Sequence, residues 1–76
     1  MKASDEIDKL TRQLNDGSLP PDEPLFTLRA QDPLASTQVM LWAEAALRLG
    51  VNEEKVAEAR ELANMMNLWP HSRLPD

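Results

Sequence analysis

Hydrophobic positions recur every three or four residues in three segments of the chain, the spacing that places side chains on one face of an α-helix. The first predicted helix covers residues 4–15, with Ser4 as N-cap and Gly17 as a left-handed end. Its apolar positions are Ile7, Leu10 and Leu14. Because three residues make a narrow apolar face, we expect this helix to dock weakly, to be mobile, or to be completed by a partner.

The second predicted helix covers residues 33–49 and is apolar over most of its circumference. Asp32 suits the N-cap, Pro33 suits the first helical position, and Gly50 suits the end. The apolar positions are Val39, Met40, Leu41, Trp42, Ala43, Ala45, Ala46, Leu47 and Leu49. A helix with this pattern needs neighbours on more than one side.

The third predicted helix covers residues 52–69, with Asn52 as N-cap and Pro70 as the stop. Its apolar stripe is Val56, Ala59, Leu62, Ala63, Met66 and Trp69. Gly50 and Val51 alone separate this helix from the second one. A connection this short predicts an αα-hairpin.

The remaining segments predict connections and a tail. Residues 16–24 contain a glycine and three prolines, which favours an extended linker. Residues 25–31 alternate in polarity from Phe26 onward, as a strand does. Since the chain has no second strand signal, this extended segment would pair with a copy, with a partner, or with nothing. With a flexible tail at residues 71–76, the chain predicts a single small all-α domain over 1–76.

The composition is that of a folded, acidic protein. Hydrophobic residues make up 42% and charged residues 28% of the 76 residues. The net charge of -5 repels nucleic acid and anionic membrane surfaces. The longest apolar run, residues 39–43, is far shorter than the roughly 20 residues of a membrane span, and the first residues contain no signal-peptide core. We therefore expect a cytoplasmic protein that binds neither nucleic acid nor membrane.

Candidate catalytic and cofactor-binding residues are sparse. The single histidine, His71, lies in the predicted tail, where nothing holds it near Ser36 or an acid. The carboxylates of Glu54, Glu58 and Glu61 fall on the polar face of the third helix, without the burial that paired-acid chemistry requires. The chain has no cysteine, only two glycines and no metal-ligand spacing. We predict no enzymatic activity, no cofactor, no metal and no small-molecule substrate.

The corner between the last two helices leaves one alternative function open. Ala46, Gly50, Val51 and Val56 have the spacing of a tight helix-turn-helix corner, which also occurs in DNA-binding regulators. In such a regulator the first turn of the third helix would face bases and phosphates. Here that turn carries two glutamates, which DNA repels.

The chain has more apolar surface than a two-helix hairpin can bury internally. Either the first helix and the extended segment fold back over the hairpin, or a second chain covers it, as small cores often require. We predict a protein-interaction module that self-associates or docks on a protein partner. The predicted interface residues are Phe26, Leu28, Met40, Leu41, Trp42, Met66 and Trp69. The acidic faces would steer it toward a basic patch on its target, in an inhibitory or regulatory role.

Residues 26–35, with the sequence FTLRAQDPLA, are followed by Trp42, the Gly50-Val51 corner and the pair Trp69-Pro70. This pattern resembles that of small proteins from phage and bacterial genomes. The resemblance covers about residues 25–70 and leaves out the first helix. It implies a phage or prophage setting and a role in binding another protein, and it assigns no activity to any residue.

Overall fold

Three α-helices make up the regular secondary structure of residues 1–70, which are the residues that this computed structural model describes. The helices are α1 (Ala3–Asp16), α2 (Ala35–Arg48) and α3 (Glu53–Asn67). The predicted all-α class is confirmed, and each predicted helix is present. None of these three helices is long and apolar enough to span a bilayer. The predicted tail at residues 71–76, with His71, lies outside the described residues.

The N-cap of α1 is Lys2, so the predicted cap at Ser4 is wrong. The backbone N–H of Lys2 donates to Oδ2 of Asp5 at 3.4 Å, and this carboxylate reaches back over the first turn. Ser4 therefore lies inside the helix. At the other end Gly17 has a φ of 85°, the left-handed conformation that the sequence predicts.

The turn that leads into α2 is organised by Asp32. Its Oδ1 accepts the N–H of Leu34 at 2.8 Å, and its carbonyl oxygen accepts the N–H of Ala35 at 3.0 Å. The predicted N-cap at Asp32 is wrong: the N-cap of α2 is Leu34, which makes no side-chain capping bond, and the Asp32 carboxylate closes the turn before the helix instead. The α-helix begins at Ala35 rather than Pro33, because residues 32–35 close as a turn first.

The corner between α2 and α3 is fixed by main-chain hydrogen bonds. Gly50, at a φ of 81°, donates its N–H to the carbonyl of Leu47 at 3.2 Å. Val51 donates to the carbonyl of Ala46 at 3.0 Å, which completes a Schellman motif. Asn52 then caps α3, since its Oδ1 accepts the N–H of Glu54 at 2.8 Å. The predicted αα-hairpin is confirmed by the packing of α2 against α3.

The core of the hairpin consists of small side chains. The buried residues among those described are Ala35, Ala43, Ala46, Val56, Ala59 and Ala63. Because an alanine projects a single methyl group, two helices that meet through alanines approach closely and displace bulky side chains to the edges. Trp42 and Leu49, which the spacing places on the apolar stripe of the second helix, are exposed for this reason, and Trp69 is exposed just beyond the end of α3.

The first helix stands apart from the hairpin. In the part of the chain that the structure describes, no Cα atom of α1 lies within 8 Å of a Cα atom of α2 or α3. The connecting residues 25–31 form no strand; they are irregular until Arg29, whose carbonyl accepts the N–H of Asp32 at 2.9 Å in a turn. Strand-like alternation without a second strand does not produce a sheet. The hairpin is therefore not covered by α1 of the same chain.

Candidate protein-binding surface

The hairpin has two sides that differ in polarity. One side contains a shallow cleft of about 180 Å³ between the start of α2 and the end of α3. Its lining residues are Ser36, Thr37, Met40, Ala63, Asn64 and Asn67. Hydroxyl and amide groups dominate this lining, so we call it the polar side.

The opposite side of the hairpin is apolar, and helix geometry identifies its residues. Successive residues of an α-helix are separated by about 100°, so Trp42 lies about 200° from Met40, and Met66 lies about 200° from Asn64. Since Met40 and Asn64 both line the cleft, Trp42 and Met66 lie on the side facing away from it. By the same spacing this apolar side consists of Leu41, Trp42, Ala45 and Leu49 with Leu62 and Met66. We group Trp69 with it, because this residue follows the end of α3 and donates its N–H to the carbonyl of Met66 at 3.2 Å.

The large side chains of the apolar side are open to solvent. Trp42 is 48% exposed, Leu41 52%, Trp69 51% and Leu49 85%. Single exposed leucines are common on folded proteins and need no explanation. Two tryptophans and two leucines on one side of one hairpin form a patch of the kind that marks interaction sites.

The structure divides the seven predicted interface residues among three places. Leu41, Trp42, Met66 and Trp69 share the apolar side. Met40 lies in the cleft of the polar side. Phe26, 84% exposed, and Leu28, half-buried, belong to the irregular segment before α2.

Sequence reasoning missed three members of the apolar side. Ala45, Leu49 and Leu62 were assigned to helix stripes but not to the interface. Leu49 follows Trp42 by seven residues, a spacing that returns to the same face of a helix. That spacing could have identified Leu49 once the core was known to consist of alanines.

Charged groups flank the apolar side without entering the core. Lys55 precedes Leu62 by seven residues, so its half-buried stem lies along the same face. Glu53 and Glu54, in the first turn of α3, are exposed. These carboxylates occupy the place where a DNA reader presents groups to phosphates, and they offer no attraction to a phosphate there.

Asp16, a described carboxyl group with a lowered pKa, lies far from this surface in the chain. Asp16, at the end of α1, accepts hydrogen bonds at Oδ1 from the hydroxyl of Ser18 at 2.6 Å and from its backbone N–H at 2.8 Å. The hydroxyl bond and then the N–H bond from Ser18 lower the pKa of Asp16; desolvation opposes them, and the charge of Arg12 adds a lesser lowering. This arrangement closes the turn at the end of α1.

Other chemistry has little basis in residues 1–70. No three histidine, aspartate or glutamate side chains there are close enough together to hold a metal ion. A second depression, of about 520 Å³, runs along the exposed face of α1 beside Asp5, Asp8, Thr11 and Arg12. No protein-family model, curated protein or solved structure matches the chain. The apolar side of the hairpin is therefore the feature from which a function can be argued.

Proposed function

We propose that this protein is a small protein–protein interaction module that binds through the apolar side of its hairpin, in the first place to a second copy of itself. The observation that supports the proposal is the exposure of Trp42 and Trp69, 48% and 51%, on one side of a hairpin whose core is already filled by alanines. Further folding of the hairpin cannot bury these side chains. A second protein surface can.

In such an association, the free energy gained by burying apolar side chains is close to the free-energy cost of bringing two copies together. Full burial of a large apolar side chain gains about 1.5–3 kcal/mol, so a half-exposed one gains about 1 kcal/mol. Four to six such side chains on each of two copies would gain roughly 8–12 kcal/mol, against an association cost of about 4–15 kcal/mol. The module is therefore expected to bind with moderate affinity unless further apolar surface takes part.

The acidic character of the chain is consistent with the same proposal. A net charge of -5 keeps an apolar surface soluble and would favour a target with a basic patch. We place the module in the cytoplasm, in a phage or prophage setting and in an inhibitory or regulatory role. The support is the chain's short apolar runs and its resemblance to small phage and bacterial proteins.

Light scattering on the purified chain tests the proposal. The wild-type chain should have a mass of at least twice 8.6 kDa, and Trp42→Glu should lower the mass toward 8.6 kDa. A glutamate at this position would place a charge in the centre of the buried surface.

Leu47→Glu is the matched control. Leu47 is on the same helix and 46% exposed, but it lies about 140° from Trp42, toward the polar side. This variant should keep the mass of the wild type. A wild-type chain that stays at 8.6 kDa at every concentration would contradict self-association, and equal loss in both variants would contradict the assignment to the apolar side.

A further inference from the structure

A second apolar surface of the chain is also uncovered. The stripe of α1 contains Ile7, 63% exposed, and Leu14, 48% exposed, with Leu10 half-buried between them. The three side chains are separated by three and four residues and lie on one face. Since no Cα atom of α1 lies within 8 Å of a Cα atom of α2 or α3, the described chain presents two separate apolar surfaces.

The chain leaves α1 in a fixed direction. Gly17 turns the backbone with a φ of 85°, and Leu19 donates its N–H to the carbonyl of Gln13 at 3.1 Å. The two hydrogen bonds from Ser18 to Asp16 hold the same turn. The end of α1 is thus a rigid cap rather than a flexible hinge.

The residues beyond this cap are stiff as well. Pro20, Pro21 and Pro24 each fix φ, and Glu23 donates its N–H to the carbonyl of Pro20 at 3.1 Å in a turn. A connection of this kind resists the bending that would lay α1 on the hairpin of its own chain. It does not prevent α1 from meeting another copy.

The solvent-accessible area of the chain is large enough for a dimer interface more extensive than the apolar sides of the two hairpins would form. The chain exposes 6267 Å². A compact monomer of this mass exposes about 4,700 Å², so the chain has roughly a third more surface than it needs. That excess is on the order of what each copy loses in an obligate dimer, where about 2,000–5,000 Å² is buried in total.

We propose that two copies exchange their first helices, so that the stripe of α1 from each copy lies on the apolar side of the other's hairpin. This inference rests on the proposed function, and it names α1 of the second copy as the segment that covers the apolar side of the hairpin. It joins the two uncovered apolar surfaces of the chain. It also adds three side chains per copy to an association that the hairpins alone leave near balance.

Cysteine cross-linking tests the exchange, because the chain has no cysteine of its own. One variant carries Thr11→Cys, at the edge of the α1 stripe, and another carries Ala45→Cys, on the apolar side of the hairpin. Mixed and oxidised, the two variants should form a disulfide-linked pair with one chain of each kind, identified by mass spectrometry. Arg12→Cys, nearly opposite the stripe, is the matched control and should yield several-fold less of the pair.

Three outcomes would overturn the exchange. Cross-linking of Ala45→Cys to itself, without the mixed pair, would mean that hairpins face each other, and the proposed function would survive. A chain carrying both Thr11→Cys and Ala45→Cys that closes its own disulfide as a monomer would mean that α1 covers its own hairpin. No cross-link together with a mass of 8.6 kDa would overturn both proposals.

A substitution in α1 provides an independent readout. Ile7→Glu should lower the mass of the species in solution to 8.6 kDa, as is expected of Trp42→Glu, although no Cα atom of α1 lies within 8 Å of a Cα atom of α2 or α3 in its own chain. Asn15→Glu changes the charge equally but lies off the stripe, and it should keep the dimer mass. A dimer that survives Ile7→Glu but not Trp42→Glu would refute the exchange and leave the hairpin surface in place.

Discussion

Gly50 is the residue on which the geometry of the hairpin corner depends. Its φ of 81° is a conformation that costs residues with a Cβ about 1–2 kcal/mol. Within residues 1–70 an added Cβ would meet no atom inside 4 Å, so the cost is one of backbone conformation alone. We expect Gly50→Ala to lower the free energy of unfolding of the hairpin by about 1–2 kcal/mol, measured by urea denaturation with tryptophan fluorescence.

Gly17 provides the control for this prediction. It has nearly the same φ, 85°, and similarly open surroundings among the described residues, but it ends α1. Gly17→Ala should therefore leave the tryptophan-monitored unfolding transition of the hairpin unchanged, at equal protein concentration and in the Ile7→Glu background that the exchange predicts to be monomeric. Equal shifts for both glycines in that background would mean that α1 and the hairpin unfold as one unit.

Ser18 sets the protonation of Asp16 and thereby the end of α1. The bonds from Ser18 lower the pKa of Asp16, so they stabilise the cap above the pKa of an aspartate in the unfolded chain. This stabilisation is lost as the pH falls through the pKa of the folded form. Ser18→Ala should raise the pKa of Asp16 toward its ordinary value, measured by NMR titration of the carboxyl carbon. An unchanged pKa would contradict the assigned cause.

At the scale of the elements, the α2–α3 interface depends on the small size of its side chains. Ala59 is 5% exposed, and a larger side chain there would push the helices apart. We expect Ala59→Leu to destabilise the hairpin by about 1–3 kcal/mol in thermal or urea unfolding. Ala57→Leu, at an exposed position of the same helix, should change stability by less than about 0.5 kcal/mol. A tolerated Ala59→Leu would contradict close packing through alanines.

The helices were predictable because their signals are local. The Asn52 cap, the left-handed glycines and the short connection at Val51 are set by a few neighbouring residues, and the structure confirms them. The cap predicted at Asp32 is wrong because its carboxylate closes the turn before the helix, whose N-cap is Leu34. The cap at Ser4 failed for a local reason too, since Asp5 competes for the same helix end. Local signals define where helices begin and end to within a few residues.

The residues of the core were less predictable, because they depend on which of several apolar faces of each helix packs against the other helix. In α2 most of the circumference is apolar, so periodicity does not distinguish a stripe centred on Ala43 and Ala46 from one that includes Trp42. Close approach of the helices selects the alanines. The same choice moves Met40 to the polar side and Trp42 to the apolar side.

At the scale of the whole molecule, the single chain is less compact than a domain of its length. Its Cα radius of gyration is 13.6 Å, against about 11 Å for a compact domain of this length. The difference fits a first helix that stands away from the hairpin. We interpret the two uncovered apolar surfaces as halves of an interface that a second copy completes.

Quenching of tryptophan fluorescence by acrylamide, followed across protein concentrations, tests this interpretation most directly. Trp42 and Trp69 lie on the apolar side, half-exposed in the single chain. Association should cover them, so the quenching constant should fall as the protein concentration rises, and Trp42→Glu should abolish the dependence. A wild-type quenching constant that stays high and equal at all concentrations would contradict the account.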